Sequence, residues 1–412
     1  MPPMAERALE SFDLIVVGAG MAGAAVALAM AEENLKVALI DGQKMPEGWP
    51  PVLDDSVLDY DARVSALTAA SRQFLDELGV WQGIVERRAC AYRDMEVWDA
   101  EGTGRIHFSA AEVNQPALGH IVENRLVNAG LLEALRASRV QCVLGAPVKS
   151  YRREAGRGVL ELEDGRRLGS LLVVAADGAN SRLREAGGFQ TREWNYHHHA
   201  IVCTVETESP HQDCAWQRFL PEGPLAFLPL ADAAGSGRYC SIVWSALPDV
   251  ATQLMGLDDD AFAQSLTRHF EGRLGEVLAC SKRFSFPLRQ RHAVDYVKDG
   301  IVLVGDAAHT IHPLAGQGIN LGFADAQALA DELKRALRRG LMLSDNVALA
   351  RYQRRRKGDN LAMMAAMEGF QHLFESPAMP LRLARNLGMS LLDRAVPLKR
   401  QIIARAMGLP VL

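Results

Sequence analysis

Short apolar runs that stop at glycine alternate along this chain with longer stretches in which apolar residues recur at helical spacing. Residues 13–17, Asp-Leu-Ile-Val-Val, run straight into Gly18, and an apolar run that ends so abruptly predicts a buried parallel strand. An alanine-rich stretch to about Glu33 predicts a helix, and Lys-Val-Ala-Leu-Ile-Asp at 36–41 predicts a second strand. Two later runs behave like the first: residues 171–175 lead to Asp177-Gly178, and residues 301–304 lead to Gly305-Asp306. Between residues 190 and 290 the pattern changes to alternation, as in "AIVCTVETE" and "RYCSIVWSAL", which predicts antiparallel strands. Beyond residue 317 the period becomes helical, with Phe323, Ala326, Leu329, Ala330, Leu333 and Leu337 on one face.

These elements predict an α/β (α+β overall) protein with a Rossmann-like domain, an antiparallel-sheet domain and a C-terminal helical segment. The cofactor motifs are spread over residues 13–325, so the first domain is expected to be discontinuous: 1–75, 100–185 and 285–340. Residues 76–99 and 186–284 then form the substrate domain, and 341–412 the helical segment.

Composition adds limits. The 412 residues are 49% hydrophobic and 23% charged, enough for a sizeable core without metal or disulfide staples. Cys90, Cys142, Cys203, Cys214, Cys240 and Cys280 make no C-x-x-C pair, so reduced thiols and a cytoplasmic location are expected. No uncharged apolar run approaches the roughly 20 residues of a membrane span, and the N-terminus has neither the basic start nor the apolar core of a signal peptide. Nucleic acid is not an expected partner. Residues 331–412, however, carry 15 Lys+Arg against 7 Asp+Glu within a chain of net charge -5. Mixed with Phe370, Leu373, Phe374, Leu381, Leu391 and Leu392, that charge fits a docking surface for anionic lipid or partner proteins, with Arg382, Arg385 and Lys399 as its cations. Apolar residues packed inward with charges facing solvent fit it equally.

Gly18, Gly20 and Gly23 have G-x-G-x-x-G spacing. Gly18 permits a tight turn, Gly20 lets backbone approach a pyrophosphate, and Gly23 lets the helix lie close on the strand. The helix start offers free N–H groups to phosphate. Asp41, at the end of the second strand, is placed to accept from the ribose hydroxyls of an adenosine. FAD and NAD satisfy this unit equally. Asp177-Gly178 and Gly305-Asp306 each follow a strand, where open α/β sheets bind ligands. No second G-x-G-x-x-G follows the first, so a nicotinamide reductant is expected to bind only transiently.

The order of these motifs resembles the FAD-dependent aromatic hydroxylases of the para-hydroxybenzoate hydroxylase type. "HPLAGQGINLGFAD" at 312–325, "RVSALTAASRQFLDELGVW" and the C-terminal "LRLARNLGMSLLD" further resemble the ubiquinone-biosynthesis hydroxylases, most closely the C5 branch. The resemblance implies non-covalent FAD, with Asp41 on the adenosine ribose, Asp177 and Gly178 near the pyrophosphate and the reductant's path, and Gly305 and Asp306 on the ribityl region. It also places Arg63, Arg125 and Asn320 along the cofactor. The implied reaction is hydroxylation of a prenylated phenol or quinol by O2 through a flavin C4a-hydroperoxide, with NAD(P)H or another donor as reductant. A ubiquinone-synthesis complex and the inner face of the membrane are the implied surroundings.

Pro313, Gly316, Gln317 and Gly318 are the expected flavin-ring positions. Pro313 holds the chain extended, the glycines remove side chains where a planar ring would lie, and a helix starting near Gln317 aims its N–H groups at negative charge on a reduced flavin. His309 and His312 are expected to position or hydrogen-bond rather than to bind metal, and "YHHHA" at 196–200 to be strand. Phe219, Phe227 and Pro229 are candidate substrate walls, with ordinary sheet core as an equal reading. No W-x-W pair suggests a halogenase. A reductase of prenyl double bonds and a non-catalytic FAD scaffold remain as alternatives.

Overall fold

The computed structural model describes residues 8–45, 50–54, 56–310, 318–375 and 378–409, without the side chains of 370, 371 and 375. Among them, eight strands form one sheet whose central five are parallel, in the order Ile301–Leu303, Arg167–Ala175, Leu9–Val17, Val37–Asp41, Gln141–Leu144. These are the runs that end at glycine or aspartate. Their side chains are buried on both faces, as parallel sheets require, and join those of the helices Met21–Ala29, Asn124–Ala137 and Gly318–Arg338 in one core. The apolar stripe of the last helix, Phe323 through Leu333, lies within that core.

A second sheet of nine strands, mostly antiparallel, is built around the long strand Thr191–Thr207. The strand includes 196–200, but His197 has φ +54° and the pairing with Phe284–Ala293 shifts register between Asn195 and His199. This bulge leaves His197 exposed and His198 buried. The hairpin of Asp94–Asp99 and Arg105–Ser109 belongs to this sheet, and so straddles the division expected at residue 100. A three-stranded sheet, Val64–Leu67, Gly119–Glu123 and Cys90–Tyr92, contributes Ala66 and Ile121 to a small core shared with Ala215, Ala226 and Leu228 of the nine-stranded sheet.

The C-terminal helices Met379–Arg394 and Val396–Ala406 meet the simpler packing expectation only in part: Met389, Leu392, Ile403 and Met407 pack inward, as does Phe374 ahead of them, but two cations go inward with them. Arg385 binds Asp99 through Nε at 2.6 Å, Lys399 binds Glu112 at 2.9 Å, and Arg382 reaches Glu101 at 3.3 Å. Arg385 and Lys399 are buried while Leu381 and Leu391 are exposed. Arg382, Arg385 and Lys399 are therefore structural ion pairs holding these helices to the 94–113 region, not surface cations. No helix among the described residues is long and apolar enough to cross a membrane.

Candidate active site

Parallel register brings the dispersed motifs together. Val17 pairs with Ala175, and Ala175 pairs with Leu303, so three strands end side by side with Gly18, Asp177 and Gly305 just beyond their last pairs. Backbone bonds continue past the sheet: Gly18 N donates to Ile40 O, Ala176 N to Val17 O, and Val304 N to Ala175 O. The crevice beyond such strand ends is where an open α/β sheet takes its ligand.

The first turn has three glycines in three different environments. Gly18 has φ +107°, and a Cβ there would lie 2.2 Å from Ala176 O; a Cβ on Gly23 would lie 2.0 Å from Gly18 O. Both are held bare by the protein itself. Among the described residues, a Cβ on Gly20 would meet nothing within 4 Å, and the same is true at Gly178 and Gly318. Helix Met21–Ala29 begins at Gly20 with no side-chain cap and no acid in its first turn, leaving its N–H groups and dipole for an external anion. Asp41 steadies the turn, its Oδ2 accepting from Ala19 N at 2.6 Å and its Oδ1 from Gln43 N at 2.7 Å.

Asp177 accepts from Ser181 Oγ at 2.5 Å and Leu183 N at 3.2 Å, so it fixes the start of helix Arg182–Ala186. Burial pushes its carboxyl above the usual range despite those donors. Asp306 is also pushed up by burial, against the pull of His309 and Arg63. Its side chain is nevertheless open to solvent. Arg63, likewise exposed, lies near enough for its charge to act on Asp306.

Arg125 has a different setting. Its guanidinium binds Glu123 Oε1 at 3.1 Å and Asp59 Oδ2 at 3.2 Å, and Arg88 binds the same two carboxylates from the other side. Asp61 ties the two predicted arginines together, accepting from Arg63 N at 3.1 Å and Arg125 N at 3.2 Å. Asn320 is buried: Oδ1 accepts from Thr68 N and Ser71 Oγ, and Nδ2 donates to Ala66 O at 2.7 Å. Its amide thus locks the start of helix Gly318–Arg338 onto the three-stranded sheet. Pro313, Gly316, Gln317 and His312 lie outside the described residues.

The substrate-wall candidates separate by strand alternation. Phe227 stacks on Phe270 at 3.8 Å in the core beneath helices Pro248–Gly256 and Asp259–His269, and Pro229 pairs with Cys240 of that same core. Both turn away from the three-stranded sheet, so neither lines a cleft. Phe219 lies on the opposite face, stacked on Phe374 at 3.7 Å.

Two functional positions escape the sequence patterns. Arg184, almost fully buried, donates to Ala179 O at 2.8 Å and Ala307 O at 3.0 Å, clamping the second motif to the third. Asp325 accepts from Gly305 N, His309 Nε2, Arg356 Nε and Asn360 Nδ2. His309 is thereby a hydrogen-bonding residue.

A crevice at the ends of three parallel strands, with an uncapped helix on one side and open glycines around it, has the form of a dinucleotide-binding site. Residues 11–364 match the family model described as FAD binding domain, and the chain belongs to that family, as an FAD-dependent aromatic hydroxylase of the ubiquinone-biosynthesis group. It is 39% identical over 398 residues to the 3-demethoxyubiquinol 3-hydroxylase of Escherichia coli (strain K12), covering 96% of this chain and 98% of that protein. It is 36% identical over 407 residues to the ubiquinone hydroxylase UbiL of Rhodospirillum rubrum, covering 98% and 92%. The crystal structure of p-nitrophenol 4-monooxygenase PnpA from Pseudomonas putida DLL-E4 shares the fold, with a TM-score of 0.78 at 18% identity over 98% of this chain and all of that one.

Proposed function

We propose that this protein hydroxylates the ring of a prenylated phenol or quinol in ubiquinone biosynthesis, at C5, using O2 and a transiently bound NAD(P)H or other donor. The observation that carries the reading is the register of Val17, Ala175 and Leu303, which gathers the three motifs at one crevice. Hydroxylation at carbon 3 is the second reading, favoured by the name of the E. coli relative.

In this reading Gly18, Gly20 and Gly23 shape the pyrophosphate turn, and Asp41 accepts from the adenosine ribose. Gly178, Gly305 and Asp306 border the middle of the cofactor, with Asp177 fixing the turn beside it and Arg63 supplying a cation. Pro313, Gly316, Gln317 and Gly318 bear on the flavin ring. Arg125 and Asn320 act at one remove, through the ion-pair cluster and the helix start that they hold. FAD, when bound, supplies the oxygen-activating chemistry. The chain's tasks are to orient the ring, exclude water and stabilise developing charge with N–H groups at the start of helix Gly318–Arg338. Phe219 is the remaining candidate for an apolar substrate wall.

The FAD-binding part comprises 1–75, most of 100–185 and 285–340, with the hairpin 94–109 assigned to the substrate part. A prenyl tail is strongly apolar, each buried CH2 being worth about 0.8 kcal/mol. The enzyme is therefore proposed to work at the inner face of the membrane or within a ubiquinone-synthesis assembly. Reduced-flavin reoxidation with two short-tailed substrates tests the reading: a prenylated phenol whose C5 is free, and a demethoxyubiquinol, whose one free ring carbon is carbon 3. Oxygen uptake coupled to a C5-hydroxylated product from the phenol is expected; product from the demethoxyubiquinol alone selects the second reading, and uptake without product from either leaves a scaffold.

A further inference from the structure

The two C-terminal helices pack Met389, Ile403 and Met407 inward but bury two cations beside them and leave a row of leucines outside. On the side packed against the hairpin Asp94–Ser109 and the turn Ala110–Val113 lie cations: Arg385 is 3% exposed and Lys399 6%, each paired with a carboxylate. On the outward side lie Leu383, Leu387 and Leu391, four residues apart along one helix, and Leu398 and Ile402, four apart along the next. Leu387 is 64% exposed and Leu391 65%. Buried Lys and Arg are tolerated only when paired, and rows of exposed leucine are what a free aqueous surface avoids. Something apolar must cover that side.

Charge identifies the cover. Residues 378–409 contain a single acid, Asp393, and it is bound to Lys399 and to His107 N. The charges on that side are Arg394, in line with the leucines of the first helix, and Arg405, beside Leu398 and Ile402 of the second, both exposed. A second copy of this chain packed through the same side would oppose arginine to arginine with no acid between them. An anionic leaflet offers apolar chains to the leucines and negative headgroups to the arginines, the arrangement of a helix lying in a membrane interface.

We propose that the outward side of helices Met379–Arg394 and Val396–Ala406 docks on an anionic lipid surface, the leucines entering the acyl boundary and Arg394 and Arg405 meeting headgroups. This deepens the reading of the protein as a hydroxylase of a prenylated substrate, and it assigns the contact to residues other than Arg382, Arg385 and Lys399.

The test is co-sedimentation of the full-length holoprotein with vesicles of phosphatidylcholine alone and of phosphatidylcholine with phosphatidylglycerol. Binding to the anionic vesicles only, weakened by salt, is expected. Arg394→Gln and Arg405→Gln should each weaken it about fivefold, and the double variant Leu387→Gln, Leu391→Gln should abolish it. These side chains are exposed, so thermal stability and FAD content should not move. Absence of wild-type binding, equal binding to neutral vesicles, or a stable dimer in solution that the leucine variant dissolves would each overturn the proposal. Oxygen uptake with a short-tailed phenol, measured on the same preparations, reports the hydroxylase reading separately, because that substrate needs no bilayer.

Discussion

The Asp325 carboxylate lies 2.5 Å from His309 Nε2, with both side chains closed off from solvent. Asp325 also receives Gly305 N at 3.1 Å and Arg356 Nε at 2.7 Å. One acid thus holds the Gly305–Asp306 turn, the strand end at His309 and the helix Asn346–Glu375. Burial opposes its charge, but His309 and Arg356 outweigh burial and hold the carboxyl below the usual range. A depressed carboxyl adds stability that is present above its unfolded value and is lost as pH falls through the folded one, so the anion is in place at neutral pH. Asp325→Asn keeps the shape and strands a buried arginine. We expect a loss of about 3–5 kcal/mol in denaturant unfolding at pH 7; an unshifted midpoint would remove Asp325 from this role.

His292 sets a second pH dependence. Burial, helped by His309, Lys357 and Arg192 and opposed by Asp325, pushes it down to about 4. The unfolded chain takes up the proton at its ordinary value of roughly 6.5. Stability therefore declines as pH drops from there towards the folded value, by roughly 3 kcal/mol in all. His292→Gln, which keeps a partner for Tyr296 Oη, should flatten that decline. The slope will not vanish, because His120 is also pushed down to about 4 by burial and by Arg72. Unfolding curves at pH 7 and pH 5 for both chains decide it.

Local patterns made the parallel strands, the glycine turns and the helical stripe legible, because each is written in adjacent residues. Strand register was not legible: nothing near residue 175 specifies that Leu303 will lie beside it. The face of Phe227 was unreadable for a related reason, since alternation fixes two faces and only a packing partner says which one meets the cleft. Asp325 did leave a signal, an acid within an apolar helical stripe and seven residues before the equally buried Glu332. The burial of Arg385 and Lys399 left less, since leucine and arginine at mixed spacing fit either orientation until Asp99 and Glu112 are brought alongside.

Glycine substitutions separate folding from cofactor binding. Gly18→Ala would force a Cβ to 2.2 Å from Ala176 O at φ +107°, and should cripple the apoprotein. Gly318→Val meets no atom of the described residues within 4 Å at its Cβ, so apoprotein melting should stay close to wild type while FAD affinity falls. Equal FAD affinity in Gly318→Val would show that this helix start does not approach the flavin.

Asp306 tests the middle of the cofactor. Its side chain is open to solvent, so Asp306→Ala should cost little in the apoprotein and weaken FAD retention by roughly 1.5–3 kcal/mol, the worth of a hydrogen bond to a charged group. Isothermal titration of apoprotein with FAD gives the number directly, and retention at the wild-type level would sink the assignment.

The pair Arg385–Asp99 carries the last prediction. The two side chains meet through two bonds, Nε to Oδ2 at 2.6 Å and a terminal nitrogen to Oδ1 at 3.1 Å, and Arg385 reaches Phe374 O at 2.7 Å as well. Arg385→Glu replaces a buried attraction by a buried repulsion, with an expected cost of at least about 3–5 kcal/mol. The loss should fall on the C-terminal helices rather than on the parallel sheet, because Asp99 lies on the hairpin of the nine-stranded sheet. Limited proteolysis should therefore release peptides from residues 378–409 while the rest of the chain stays resistant and retains FAD. Asp99→Arg combined with Arg385→Glu restores opposite charges at the site and should recover part of the protection. Protection unchanged in the single variant, or no recovery in the double, would mean that something other than this pair holds the helices in place.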